Sequence, residues 1–184
     1  MARIDEIRAG AGDDIVDMTS QRFEYAGDGL TVRGGSGDDT IWANRGDNLL
    51  FGDAGNDRIV GGAGTDFIAG GSGNDSMHGG GGMDVFTFGG NWGNDVVEQR
   101  SDDESMVMLW FADGDHTNWN AATLTYTDGS NSVTVKGVGA DQIEIYIGDE
   151  FPWDFEMMSE LGVFADATSQ NVFEEKNKGL LATV

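Results

Sequence analysis

Cysteine is absent from this chain of 184 residues. That excludes a disulfide framework and any thiolate-held metal. A single proline leaves few rigid turns. Lys and Arg together number 10 against 33 Asp and Glu, a formal charge of -23. Nucleic acid and an anionic membrane surface are therefore excluded as natural partners. The only histidines, His78 and His116, have no second His and no Cys at ligand spacing, so a catalytic zinc site lacks its components. No run approaches the 18 or so apolar residues of a membrane span. The start, MARIDEIRAG, does not place an apolar stretch after a basic one as a secretory signal does.

What is abundant is glycine, at 30 residues, and carboxylate. Such a chain needs many positive-φ turns or close backbone approaches, and its natural counterpart is a cation. An acidic disordered tail is the plain alternative, but 10 Phe, five Trp and three Tyr are more aromatics than such tails carry. The length suits one ordinary domain or two small ones.

From Gly34 the sequence divides without gaps into six nine-residue units: GGSGDDTIW, ANRGDNLLF, GDAGNDRIV, GGAGTDFIA, GGSGNDSMH and GGGGMDVFT. The fourth position is glycine in each. The sixth is Asp39, Asn48, Asp57, Asp66, Asp75 and Asp84, and the eighth is Ile41, Leu50, Ile59, Ile68, Met77 and Phe86. Upstream, AGAGDDIVD from Ala9 fits with Asp14 and Val16. Downstream, NWGNDVVEQ keeps Gly93, Asp95 and Val97 after a two-residue insertion.

A glycine-rich loop followed by residues that extend predicts a turn and a short strand. Two units then make one coil of eighteen residues, and the strands stack into two parallel sheets. Alternation along each strand points the eighth residue inward and the seventh and ninth outward. One inward apolar side chain per unit is a thin core, insufficient against the entropy lost in ordering nine residues. The eighteen-residue recurrence lines up Asp39, Asp57 and Asp75 on one edge and Asn48, Asp66 and Asp84 on the other. Asp14 and Asp95 extend the pattern. Columns of like charge repel unless a hard cation with oxygen ligands intervenes, and carboxylates with loop carbonyls make a flexible oxygen cage suited to Ca²⁺ rather than Mg²⁺.

These units resemble the RTX calcium-binding proteins, whose nonapeptide is G-G-x-G-x-D-x-U-x with U apolar. The resemblance covers about residues 9–98. The unit at 43–51 departs from it through Asn44 and Asn48, which sets its sites apart. The resemblance implies an all-β, right-handed parallel β-roll at 1–98 holding about four or more Ca²⁺ ions between successive loops on each edge. Sixth-position side chains and loop carbonyls such as those of Gly35, Gly37, Gly55, Gly62, Gly64, Gly71, Gly73, Gly80 and Gly82 would hold them. It also implies a protein secreted by, or on the surface of, a Gram-negative bacterium, exported by type I secretion machinery and folded by extracellular calcium. The parent would be larger, with the present chain as its C-terminal part.

After residue 100 glycine thins out, and alternating segments at 105–111, 122–127, 132–138 and 142–147 predict antiparallel strands, with DGSN at 128–131 as a hairpin turn. Trp110, Phe111, Trp119, Tyr126 and Tyr146 are candidates for a small core, so that 99–150 caps the roll. The tail at 151–184 has helical apolar spacing and resembles an uncleaved type I export signal. Outward positions Leu49, Phe51, Phe67, Ala69, Val85 and Thr87 share one sheet and predict an apolar face that needs a cover: the tail, the cap or a partner. The other sheet carries Thr40, Trp42, Arg58, Val60, Ser76 and His78 and can stay wet.

Accidental G-x-G-x-x-G spacings lie within the repeats with no long helix after them, so they do not indicate a dinucleotide site. DGDHTNWNAATL, from Asp113, opens like an EF-hand loop but has Asn118 where glycine is needed and Leu124 where the bidentate Glu belongs. No nucleophile elbow is present. The reading is a non-enzymatic calcium-binding module, with a calcium-dependent adhesion module and a polysaccharide-modifying enzyme fragment as its rivals.

Overall fold

The units extend over their apolar residue and, in β5 to β8, on through the first three positions of the next unit, so that the chain turns only at positions four to six. A computed structural model describes residues 6–20, 30–99, 106–112 and 116–148. In chain order the strands are β1 (Glu6–Ala11), β2 (Ile15–Asp17), β3 (Thr31–Ser36), β4 (Thr40–Trp42), β5 (Leu49–Ala54), β6 (Arg58–Ala63), β7 (Phe67–Ser72) and β8 (Ser76–Gly81). They continue with β9 (Asp84–Phe88), β10 (Asn94–Glu98), β11 (Val107–Phe111), β12 (Trp119–Asn120), β13 (Thr125–Asp128), β14 (Asn131–Lys136) and β15 (Ile143–Ile147). Among the described residues, helix is limited to two 3-10 turns, His116–Asn118 and Ala140–Gln142.

Two sheets result, one in the order β1-β3-β5-β7-β9-β11-β15 and the other β12-β13-β14-β10-β8-β6-β4-β2. The chain alternates between them, so sequence neighbours lie on opposite sheets and paired strands lie a full coil apart. This is a parallel β-solenoid. Parallel register stacks Val32, Leu50, Ile68, Phe86 and Leu109 in one inward column. It stacks Ile41, Ile59, Met77, Val97 and Val135 in the other. Every one of these is 0–2% exposed, so the eighth-position column is the core.

The antiparallel cap is confined to β12, β13 and β14. Contrary to the expectation from sequence, β11 and β15 join the first sheet in parallel, and β14 joins β10 in parallel. The physical reason is the open edge left by β9 and β10, whose unpaired backbone groups template another strand. Val107, Leu109 and Phe111 continue the inward column without needing a glycine loop. The DGSN hairpin forms as expected, with Asp128 paired to Asn131. Residues 121–124 are a turn rather than strand.

The aromatic core at this end also differs in membership. Phe88 lies 5.1 Å from Trp92 and 4.9 Å from Phe111, and Phe111 stacks on Tyr126 at 3.8 Å between centroids. Trp110 and Tyr146 instead lie side by side on the outer face, because β11 and β15 place them one residue out of the inward phase. Trp119 is partly buried against the core.

On the outer face of the first sheet, Leu49, Phe67, Val85 and Met108 form a cross-strand ladder and are all buried, Phe67 to 5% exposure. Phe51 is half-buried beneath the Arg33 guanidinium, 4.1 Å above its ring. Arg33 is itself held by Asp53 at 3.1 Å and Glu6 at 3.7 Å. That face is sheltered, as its composition requires. The tail at 151–184, for which the apolar spacing predicts helix, lies outside the described residues.

Candidate metal centre

Loops that lead from the first sheet to the second form one edge of the roll, and loops that lead back form the other. On the first edge the backbone N–H groups of Asp14, Asp39, Asp57 and Asp75 donate to Oδ1 of Asp39, Asp57, Asp75 and Asp95, at 2.8, 2.7, 2.8 and 2.8 Å. On the second edge Asn48 N–H donates to Asp66 Oδ1 at 2.9 Å, and Asp66 N–H to Asp84 Oδ1 at 3.2 Å. All eight sixth-position residues named from the sequence therefore stand in two columns. The carboxylates of Asp39, Asp57, Asp66, Asp75, Asp84 and Asp95 each tie their own turn to the preceding one on that edge.

Only half of each carboxylate is used in this way. Oδ2 of Asp14, Asp39, Asp57, Asp66, Asp75 and Asp95 is buried with no hydrogen-bond partner, as is Oδ1 of Asn48. A buried acceptor left unpaired is unfavourable by about 1–3 kcal/mol, more when charged. Burial pushes the carboxyls of Asp57 and Asp75 up to about 6, Asp66 to about 7 and Asp95 to about 8. Burial also raises Asp39, and neighbouring carboxylates add to the effect at Asp39, Asp57, Asp66, Asp75 and Asp95. Without a cation the roll holds charge it cannot satisfy.

The glycine positions show what surrounds these oxygens. A methyl built on Gly73 would lie 1.8 Å from Gly55 O, and its φ of +140° is one that side chains avoid. Gly55, Gly71, Gly80 and Gly82 likewise sit against the carbonyl of the residue one coil earlier, and Gly35 and Gly37 against those of Gly10 and Gly12. Of the carbonyls named from the sequence, those of Gly37, Gly55, Gly62 and Gly64 each stand directly against a positive-φ glycine of the next coil.

A further set, for which the repeat pattern alone gave no role, lies closer to the carboxylates. A methyl on Gly52 would stand 2.2 Å from Asp57 Oδ2 and 2.5 Å from Gly70 O; one on Gly61 would stand 2.2 Å from Asp66 Oδ2 and 2.6 Å from Gly79 O. Such distances exclude a side-chain carbon: with no Cβ at the first position, the sixth-position carboxylate can fold back against the backbone and face the carbonyl of the next turn. The first-position glycine thus keeps open an oxygen-lined cradle between turns. The signal for it was in the sequence, as the regular spacing of Gly52, Gly61, Gly70 and Gly79 five residues before an Asp.

Gly52→Ala is expected to fill that cradle, removing one bound ion and destabilising the calcium-loaded fold by about 2 kcal/mol or more. Gly81→Ala, with nothing within 4 Å of its methyl, should leave both unchanged. Ion counting by mass spectrometry with thermal melts in calcium separates the two.

The loop at 43–48 differs from the others. Neither Asn44 nor Gly46 adopts positive φ, whereas the loops before and after it each have two such residues. Asn48 Nδ2 donates to Asp66 Oδ1 at 2.9 Å and to Gly46 O at 2.5 Å, partly satisfying this edge with an amide.

Among the described residues no three His, Asp or Glu side chains converge on one point. Any ion here must rest on one or two carboxylates plus carbonyl oxygens, a donor set of hard oxygens only. The sequence model of the RTX calcium-binding nonapeptide repeat matches the chain in four copies, over residues 2–17, 25–59, 51–86 and 60–97.

The chain belongs to the RTX calcium-binding repeat family. No curated protein matches it. The RTX repeat is a structural calcium-binding unit rather than a catalytic one, and the orphaned oxygens of this RTX roll fit that ion: hard, anionic or carbonyl, and spaced between turns. RTX repeats are typical of secreted extracellular bacterial proteins.

Proposed function

We propose that this RTX module is a calcium-driven folding unit at the C-terminal end of a larger extracellular protein, stable only once several Ca²⁺ ions bridge its turns. The observation that carries this reading is that, within these two columns, Oδ2 of Asp14, Asp39, Asp57, Asp66, Asp75 and Asp95 is buried with no hydrogen-bond partner. Bound calcium supplies the missing positive charge. The residues that hold it are Asp14, Asp39, Asp57, Asp75 and Asp95 on one edge and Asp66 and Asp84, with Asn48, on the other, together with loop carbonyls.

Mass action then makes folding depend on calcium. Ions that bind only the folded chain stabilise it by about 2.7 kcal/mol each at 100 times their dissociation constant, and extracellular modules typically bind at about 0.1–1 mM. A low-calcium cytosol would leave the chain unfolded and able to pass type I secretion machinery, and the exterior would fold it. The segment 151–184 serves as the export address in this reading, and the repeat domain itself performs no catalysis. The activity, if any, belongs to the parent.

The test is a calcium titration of chelator-treated protein followed by far-ultraviolet circular dichroism, with magnesium as the control. A cooperative gain of β signal with calcium alone is expected. A spectrum already folded in chelator would overturn the folding-switch reading.

A further inference from the structure

The second edge ends differently from the way it runs. Glu98 pairs with His78, so the next residue, Gln99, stands opposite Gly79, in the position that Gly52, Gly61, Gly70 and Gly79 hold in the turns before. In those turns glycine is required because the Asp five residues later folds its Oδ2 back over the backbone. Position 104 is Glu rather than Asp, and a long side chain takes the first position instead.

That side chain is not pointed at solvent. Gln99 is 3% exposed. Its Nε2 donates to Gly80 O at 2.6 Å and reaches Asp84 Oδ2 at 3.5 Å, while its Oε1 accepts from Gly80 N–H at 3.4 Å. The backbone of Gln99 is locked as well, its N–H donating to Lys136 O at 2.9 Å. Oδ2 of Asp39, Asp57, Asp66, Asp75 and Asp95 lacks any donor, whereas Oδ2 of Asp84 has one. The amide group lies between a carbonyl oxygen and the outward oxygen of a sixth-position Asp, the same pair of donor types that frames each glycine cradle.

We propose that the Gln99 amide stands in for a calcium ion and closes the ion column of the second edge. An NH₂ group can donate to two oxygens at once, which is the part of a cation's role that a neutral side chain can perform. It is present before any calcium arrives, so the last sixth-position carboxylate of this edge already has a donor, whereas Oδ2 of Asp95, the last on the first edge, has none. Together with Asn48, whose amide answers Asp66 Oδ1 at the other end, it leaves the second edge with fewer ions than the first.

The inference rests on the reading of the Asp columns as calcium sites, and its test is a charge pair at one position. Gln99→Glu is isosteric but places a carboxylate against Gly80 O and Asp84, an arrangement that holds only with a cation between them. It should bind one more Ca²⁺ per folded chain than wild type, counted by native mass spectrometry, and should need a higher calcium concentration to fold. Gln99→Lys brings its own positive charge. It should keep the wild-type count with no rise in the folding midpoint.

An unchanged ion count in Gln99→Glu would overturn the proposal. If that variant does not fold even in calcium, Gln99→Lys decides, since a raised midpoint there marks a packing role and overturns it too. A wild-type chain that binds no calcium would sink the column reading itself, and the wild-type count reports that separately.

Discussion

Asp57→Asn is expected to change sign with calcium: more stable than wild type in chelator, less stable in calcium. Asp57 Oδ1 accepts the backbone N–H of Asp39 at 2.7 Å, and the amide oxygen of Asn can still do so. What the substitution removes is a negative charge that burial disfavours and that Asp75 and Asp39 repel. Without calcium that charge opposes folding, so neutralising it helps. In the proposed calcium columns it is a ligand to the ions above and below, so its loss should weaken the sites of two successive turns. Loss of two ions held at about 100 times their dissociation constants is worth about 5 kcal/mol by mass action, a large part of a domain's usual 5–15 kcal/mol. Asp57→Ala lacks the acceptor as well, leaves Asp39 N–H unpaired in the interior, and should be destabilised in both conditions. Urea unfolding in saturating calcium measures one side. The fraction folded in chelator, brought into range by an excluded osmolyte, measures the other. If Asn lowers stability in both, the buried charge is not what destabilises the ion-free roll.

The columns were legible in the sequence because a solenoid turns a period along the chain into a stack in space. A nine-residue repeat on two alternating sheets places residues 39, 57 and 75 in line without knowledge of any other contact, and the structure stacks all eight named side chains in this way. The apolar outer ladder was legible for the same reason, since the seventh and ninth positions share a face. Legibility fails where the period fails. β11, β14 and β15 fall outside the run of in-register nonapeptides, and their alternation looks the same whether the partner is parallel or antiparallel. What decides is the open edge at Phe86 and Val97, which local sequence does not record. Gln99 was missed because its partners, Gly80 and Asp84, lie 19 and 15 residues earlier. In the linear pattern it is merely a place where a glycine is absent.

Acid should substitute in part for calcium. In the ion-free roll Asp57, Asp66, Asp75 and Asp95 titrate at about 6, 7, 6 and 8, whereas in an unfolded chain they titrate near 3.9. The folded state therefore holds protons that the unfolded state has released. Stability carried by these groups is fully present below about pH 4 and is lost as pH rises through 6 to 8. A carboxyl that titrates one pH unit higher in the folded chain than in the unfolded one carries about 1.4 kcal/mol, so four such groups amount to several kcal/mol between pH 5 and pH 8. The chelator-treated chain should thus gain β signal on acidification from pH 8 toward 5. Calcium reverses the trend. Ion binding requires the carboxylates ionised, so protons compete with the metal and the calcium concentration at half-folding should rise as pH falls from 8 to 6. The two titrations, one in chelator and one at fixed calcium, should slope in opposite directions across the same window. Parallel slopes would mean that the buried carboxylates are not the groups that calcium neutralises.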